Sequence, residues 1–532
     1  MGEFVGRPSK AAPGRKTGVS DVVDRPDVLI VSTPADPPYA YSALGIRYLS
    51  AALKRAGRRV ACVDCCLRDL KQDDIIRLIL DSGCRLLGIS AIEPGALGII
   101  DGLGRAGFAA PVVLGGHFAT FNYRALLERY PRVTCIVRGE GELTFLEVVA
   151  ALLDGNGAAD LAGVAGVARR SGGEVVANAP RPLIDDLDWL PLPDMDVLQA
   201  DSDLVAGFTL TGSRGCFGGC GFCSVQSFYA LSPGRRWRQF SPGRVVEELA
   251  ILATRFGARD AWFLDDEFVG PGAGGSRWAA EVAEGIIKAG LKLALTISSR
   301  VDVVDPELFS LLKRAGLSTV LLGVENGSPE ALARLTKGTT VEQNINAILA
   351  FARLGIDARL GWIMLDPATT LEEFAANLNF LEALDPRPYH RISVATALLS
   401  IYPGTPLAET YCRPRGVPLD ESFQYAWKYE DPRVNELVRA AHAWLDGTAA
   451  HRRAILAMHE GNPRDVNAVI YGHEYARAYY TFLRRTIESL RTSGARASLD
   501  DVVAGPTAPA EPGAPRGAGG DAHGGEHTEH GA

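Results

Sequence analysis

Long apolar runs are missing from this sequence. No stretch of about 18 consecutive apolar residues occurs, so no membrane-spanning helix is expected. Met1 to Ser20 has no apolar centre among its Arg and Lys residues, so no secretory leader is read there. Positive charge is not in excess either. The 55 Lys and Arg stand against 63 Asp and Glu, a net charge of -8, which gives no general attraction to a nucleic-acid backbone. Histidine is scarce: there are nine, and none lies between His117 and His390. These absences predict a cytoplasmic protein with neither membrane nor nucleic acid as a partner.

What is present is an ordinary globular composition, 47% hydrophobic and 22% charged over 532 residues, long enough for several domains. The ends differ from the rest. Residues 1–25 and 501–532 are expected to be disordered; Ala504 to Ala532 holds 8 Gly, 4 Pro and 7 Ala and no large apolar side chain, too little to offset its ordering entropy. Its His523, His527 and His530 read as solvated tail residues.

Between the ends the pattern is α/β. Over residues 26–155, strands are expected at Val28–Ser32, Arg59–Val63, Leu86–Ser90, Val112–Leu114 and Thr134–Val137, alternating with helices. That alternation implies a flavodoxin-like (Rossmann-like) parallel sheet covered on both faces, with ligands at the carboxyl ends of its strands. Ser90, Gly115-Gly116-His117 and Gly139-Glu140 fall at such ends. A connector, 156–203, carries an expected hairpin around Ser171-Gly172-Gly173 and then a Pro-punctuated stretch.

Residues 204–400 repeat the strand and helix unit six times, with strands at Phe208–Thr211, Ala261–Leu264, Leu293–Ile297, Thr319–Gly323, Ala358–Met364 and Ile392–Ala397. Ser241-Pro242, Asp305-Pro306 and Ser328-Pro329 each set a capping side chain before a Pro at the first helical position, and Thr370 with Glu373 has capping-box spacing. The reading is a partial (β/α)6 TIM-type barrel, which binds ligand at its C-terminal mouth. Residues 401–500 read as helical, with no motif that names a chemistry.

Six of the nine Cys are scattered, whereas Cys216, Cys220 and Cys223 lie within eight residues, directly after the first barrel strand. Three thiolates on a Gly-rich loop suit three corners of a 4Fe-4S cluster, with one iron left open. A zinc site that recruits a distant fourth ligand is the alternative.

Here the sequence resembles the radical S-adenosylmethionine (SAM) superfamily, whose signature is C-x3-C-x-aromatic-C, with Phe222 as the aromatic residue. The resemblance implies that the open iron chelates SAM, and that one electron from the cluster splits it to give a 5'-deoxyadenosyl radical. It further implies SAM contacts from Phe222, Asp265, Ser299, Arg300 and Glu325. By residue type alone Arg300 suits a carboxylate and Glu325 an amine or hydroxyls. Asp265, Asp266 and Lys337 read equally well as ion pairs at the barrel rim, and Trp362 as pocket wall or core.

The α/β domain ahead of the barrel resembles the cobalamin-binding subclass of that superfamily, through Gly115-Gly116-His117-Phe118-Ala119-Thr120, Arg138-Gly139-Glu140-Gly141-Glu142, Leu190-Pro191-Leu192-Pro193 and Tyr402-Pro403-Gly404-Thr405-Pro406. This implies cobalamin contacts from Ser90, Gly115, Gly116, His117, Gly139 and Glu140. The D-x-H-x-x-G motif that supplies an imidazole to cobalt in some cobalamin proteins is absent, and His117 reads first as a hydrogen-bonded loop residue. The expectation is a methyltransferase acting on an unactivated carbon, or on phosphorus, of a small-molecule specialised metabolite, with a flavodoxin or ferredoxin as reductant. A radical dehydratase, cyclase or epimerase that does not use cobalamin stays open, and so does, more remotely, a non-catalytic iron-sulfur protein.

Overall fold

The computed structural model describes residues 25–34, 43–92, 94–202, 205, 207–451, 453–454 and 466–493. The two terminal segments expected to be disordered, with the tail histidines, lie outside the described residues, except for Arg25. The chain divides into two compact units, one within Met1–Pro386 and Ser393–Asp431, the other within Arg387–Ile392 and Pro432–Ala532.

The first unit opens with β1 (Val28–Ser32), α1 (Leu44–Arg55), β2 (Val60–Val63), α2 (Gln72–Ser82), β3 (Leu86–Ser90), α3 (Ala96–Arg105), β4 (Val112–Gly115), α4 (His117–Phe121), α5 (Tyr123–Arg129), β5 (Val133–Val137) and α6 (Glu142–Leu153). The sheet order is β2-β1-β3-β4-β5, all parallel. Its strands are largely apolar because both faces are covered. Along β1, Leu29 and Val31 join one core with Ile75, Ile79 and Ile99, while Val28 and Ile30 join the other with Ile46, Phe145 and Val148. The alternation of strand side chains divides one short sequence between two cores.

The expected hairpin forms as β6 (Val167–Ser171) and β7 (Glu174–Ala177). It is not a free connector: β6 pairs antiparallel with β5 and extends the sheet to seven strands. The Pro-rich stretch that follows is ordered and fastened to α1. Ser50 Oγ donates to Asp194 at 2.5 Å, and Lys54 pairs with the same carboxylate at 2.8 Å. Asp194 caps the short α7 (Met195–Ala200).

The barrel half comprises β8 (Phe208–Leu210), β9 (Ser213–Arg214), α8 (Ser224–Ala230), β10 (Arg238–Gln239), α9 (Pro242–Arg255), β11 (Asp260–Phe263), α10 (Gly272–Lys288), β12 (Ala294–Arg300), α11 (Pro306–Ala315), β13 (Leu317–Glu325), α12 (Pro329–Arg334), α13 (Val341–Leu354), β14 (Asp357–Trp362) and α14 (Leu371–Leu384). Five parallel strands form the wall in the order β14-β13-β12-β11-β8. The expected caps are in place: Ser241, Asp305 and Ser328, each just before its Pro, accept from a first-turn amide, and Thr370 with Glu373 closes a capping box.

The sixth strand differs from expectation. Pro388–Val394 is helical, and the sixth position is held by a single parallel bridge, Leu365 to Leu398. Pro388 presets helical φ at the first turn, and a run as short as Ile392–Ala397 suits either periodicity. In the second unit, Pro432–Gly447 and Val466–Ser493 are helices that contact one another. The first carries Trp444, whose ring meets those of Tyr475, Tyr479 and Phe482 on the second. No helix among the described residues is long and apolar enough to cross a membrane.

Candidate functional site

The loop after β9 carries the three clustered Cys, and neighbouring strand ends hold it in shape. Asp265 accepts from Ser213 Oγ at 2.5 Å and from Gly212 N at 3.0 Å; Asp266 accepts from Gly215 N at 3.1 Å. Gly215 has φ +85°, and a Cβ there would lie 1.8 Å from the Arg236 carbonyl oxygen, so no other residue fits. Further along, Gly221 N donates to Leu335 O and Gly221 O accepts from Leu407 N, both at 2.9 Å. The loop is therefore anchored at its entry and again at Gly221 before any ligand is considered.

Cys220 is buried, and Cys216 and Cys223 are partly exposed. Among the described residues no three Cys, His, Asp or Glu converge on a single ion. Zinc would need a fourth ligand with the three Cys around one point, and the sequence offers no His between His117 and His390. Thiolates of a 4Fe-4S cluster bind separate irons and need no such convergence, so this loop fits the cluster better. Burial pushes the Cys216 thiol up to about 12, so a bound metal is what would hold it as thiolate.

Each of the SAM candidates has its own partners in the fold. Phe222 packs beside Leu335, Leu399 and Ile401. Asp265, expected among the contacts, is 2% exposed, and its two oxygens are taken up by Thr211, Gly212 and Ser213. This carboxylate braces the start of the Cys loop. Ser299 is buried, its hydroxyl donating to the Arg300 carbonyl. Arg300 is held by Asp302, whose two carboxylate oxygens lie 2.8 and 2.9 Å from Nε and Nη2 and take that edge of its fork. Glu325 sits at a strand irregularity with φ +65° and accepts from Lys337 Nζ at 2.8 Å. Burial opposes the charge on Lys337, but the Glu325 carboxylate outweighs it and raises the amine above its ordinary value.

The cobalamin candidates do come together. Ser90, Gly115, Gly116, His117, Gly139 and Glu140 all line one cavity of about 390 Å³ at the carboxyl ends of the first sheet. Its inner wall is apolar, with Ile30, Val113, Val137 and Phe145; its other wall comes from the barrel, with Thr211, Ser213, Arg214, Leu264 and Asp266. Two large apolar side chains on this lining are uncovered, Ile92 at 55% and Leu264 at 42% exposure, as a broad ligand with apolar edges requires. The cavity therefore fits part of a cobalamin.

His117 stacks on Phe228 of α8, ring centroids 4.0 Å apart, and burial pushes it down to about 4, leaving the imidazole neutral. The stack, not the hydrogen bond expected of a loop residue, is what holds it. Glu140 lines the cavity, but its carboxylate is committed. Arg238 Nη1 and Nη2 each donate to it at 2.9 Å, and Ile184 N and Arg214 Nη1 add to these. Burial opposes its charge, and the two guanidiniums overcome that to hold it below the ordinary Glu value. Trp362 is core, 7% exposed and stacked on Phe380 at 5.4 Å.

Sequence reasoning missed Tyr48, Ile92, Phe228, Tyr229 and Arg214 as cavity walls. For Phe228 and Tyr229 a signal existed, since they follow Cys223 by five and six residues on the helix that leaves the loop.

Comparisons with known proteins agree with this geometry. Residues 210–381 match the radical SAM superfamily, and residues 35–149 match the B12 binding domain. The chain is 34% identical over 375 residues to an uncharacterised methyltransferase, PH0819, of Pyrococcus horikoshii, covering 69% of this chain and 77% of that one. It is 32% identical over 343 residues to the anaerobic magnesium-protoporphyrin IX monomethyl ester cyclase of Rubrivivax gelatinosus, covering 62% of this chain and 60% of the cyclase. The fold is similar to that of the cobalamin-dependent SAM radical enzyme OxsB with aqua-cobalamin bound, with a TM-score of 0.74 at 22% identity over 88% of this chain and 73% of that one. The chain is an enzyme of the cobalamin-binding subclass of the radical SAM superfamily, with a 4Fe-4S cluster, SAM and cobalamin as its cofactors.

Proposed function

We propose that the enzyme methylates an unactivated carbon of a small-molecule specialised metabolite. One observation carries the reading: the cavity suited to cobalamin is walled by Thr211, Ser213, Arg214 and Asp266, which belong to or brace the loop bearing Cys216, Cys220 and Cys223. The two cofactors would meet at one mouth. When bound, the cluster with SAM supplies one-electron hydrogen abstraction, and cobalamin supplies a methyl carrier.

The chain's own residues would do the rest. Cys216, Cys220 and Cys223 hold the cluster, with Phe222 beside it. Glu325 at the end of β13 would offer its carboxylate to SAM, with Lys337 holding that carboxylate in place. Ser90, Gly115, Gly116, His117 and Gly139 would hold the corrin from the sheet side of the cavity, and Ile92 and Leu264 would help to exclude water from it. Electrons would come from a flavodoxin or ferredoxin in the cytoplasm.

The test is anaerobic reconstitution with iron, sulfide and hydroxocobalamin, then desalting and a count of bound iron and corrin. Stoichiometric corrin beside four irons supports methyl transfer, and SAM labelled at its methyl carbon then screens substrates for a labelled product. The 32% identity to an anaerobic cyclase favours a second reading, radical cyclisation. Four irons with no corrin retained, or product formed without label, would put that reading first.

A further inference from the structure

The Arg300 guanidinium faces a cluster thiol. Its Nη1 lies 3.5 Å from Cys220 Sγ, within reach of an N–H to sulfur hydrogen bond, and Arg300 is 7% exposed. Asp302 takes Nε and one N–H of Nη2, and the Lys337 carbonyl takes Nη2 again at 3.0 Å, which fixes the plane of the fork. The Phe217 ring lies 5.6 Å from its central carbon. Gly218 completes the seat: a Cβ there would lie 2.4 Å from Nη1, so the guanidinium packs directly against the Cys loop at a position that admits no side chain.

We propose that Arg300 tunes the cluster's redox potential, by donating a hydrogen bond to the Cys220 thiolate, and does not bind the SAM carboxylate. This rests on the reading that the three Cys hold the cluster. Adding one electron makes the cluster more negative, and an N–H donor aimed at a ligating sulfur stabilises that state more than the oxidised one. Asp302 offsets part of the net charge but leaves the direction of the N–H unchanged. Loss of the donor therefore makes the cluster harder to reduce.

The experiment compares reconstituted wild type, R300M and R300K. Iron is counted, the midpoint is measured by an EPR-monitored titration without SAM, and SAM affinity is measured by equilibrium binding. In R300M the expected result is full iron, a midpoint more negative by at least about 59 mV, equivalent to tenfold in the reduced-to-oxidised ratio, and SAM affinity changed by less than about twofold. R300K, which keeps the charge but loses the fork, falls between. An unchanged midpoint at full iron overturns the proposal, and a tenfold loss of SAM affinity with an unchanged midpoint returns Arg300 to the SAM carboxylate. If R300M holds no iron, wild type labelled with 15N-arginine decides: a 15N coupling to the reduced cluster in pulsed EPR supports the hydrogen bond, and its absence overturns it. Wild type that takes up no iron overturns the cluster reading itself, a separate outcome.

Discussion

Glu140, in the loop after β5, holds Arg238 of the barrel half in a two-pronged ion pair, each guanidinium Nη 2.9 Å from a carboxylate oxygen, with Arg238 fully buried. This pair ties the cavity-bearing sheet to the chain just beyond the Cys loop. Removing one partner strands the other charge in the interior, at about 3 to 5 kcal/mol. E140Q is therefore expected to lower the urea midpoint markedly and to loosen corrin retention, while an R238M/E140L double variant recovers stability. The pH dependence has a definite sign. Because Glu140 is held below its ordinary 4.5, its stabilisation is complete above that value and is lost as pH falls through its folded value. Acid unfolding of wild type and E140Q should converge below that window.

Gly215 is where the Cys loop turns. G215A places a Cβ 1.8 Å from the Arg236 oxygen at φ +85°, so the loop must move and Cys216 with it. The expected outcome is a folded protein, by circular dichroism, that takes up far less iron than wild type. Full iron uptake by G215A would show that the loop has more freedom than its contacts imply.

His117 is neutral in the fold, pushed down to about 4 by burial. A group with a depressed folded pKa that is cationic when protonated costs stability as pH falls from its unfolded value, 6.5, toward 4. H117F keeps the stack on Phe228 and removes that proton site. The difference in urea midpoint between H117F and wild type should therefore grow in favour of H117F from pH 7 to pH 5. A constant difference would mean that the imidazole is solvated.

These positions also show what a single sequence discloses. The first five strands were legible because each is an apolar run buried on both faces, and their Gly-rich ends located the cavity. The Cys spacing located the loop. The sixth strand was not legible, because Ile392, Val394 and Ala397 satisfy two periodicities and Pro388 settles the matter only by starting a helix. Residue type identified Asp265, Arg300 and Glu140 as charges at strand ends, but it could not say whether their partners were ligands or the neighbours Ser213, Asp302 and Arg238. Trp362 was undecided for the same reason. Its stacking on Phe380 predicts that W362A loses about 3 to 5 kcal/mol of stability, and that W362F keeps most of it without changing corrin binding.

Leu264 follows β11 directly and is 42% exposed on the cavity lining, flanked by the buried Phe263 and Asp265. An apolar side chain left uncovered beside a carboxylate raised by its confinement to about 6, that of Asp266, is poorly placed for water and well placed for the edge of a flat apolar ligand. Covering a Leu side chain contributes about 1.5 to 3 kcal/mol, or roughly 10- to 150-fold in affinity. L264D should therefore weaken hydroxocobalamin binding by at least tenfold, measured as corrin retained after desalting over a range of concentrations, while L264M stays near wild type. Iron uptake should be unaffected in both, because Leu264 makes no bond to the Cys loop and the braces on either side, Ser213 to Asp265 and Gly215 to Asp266, remain intact. Equal corrin retention by L264D and wild type would place the ligand elsewhere in the cavity and remove Leu264 from its rim.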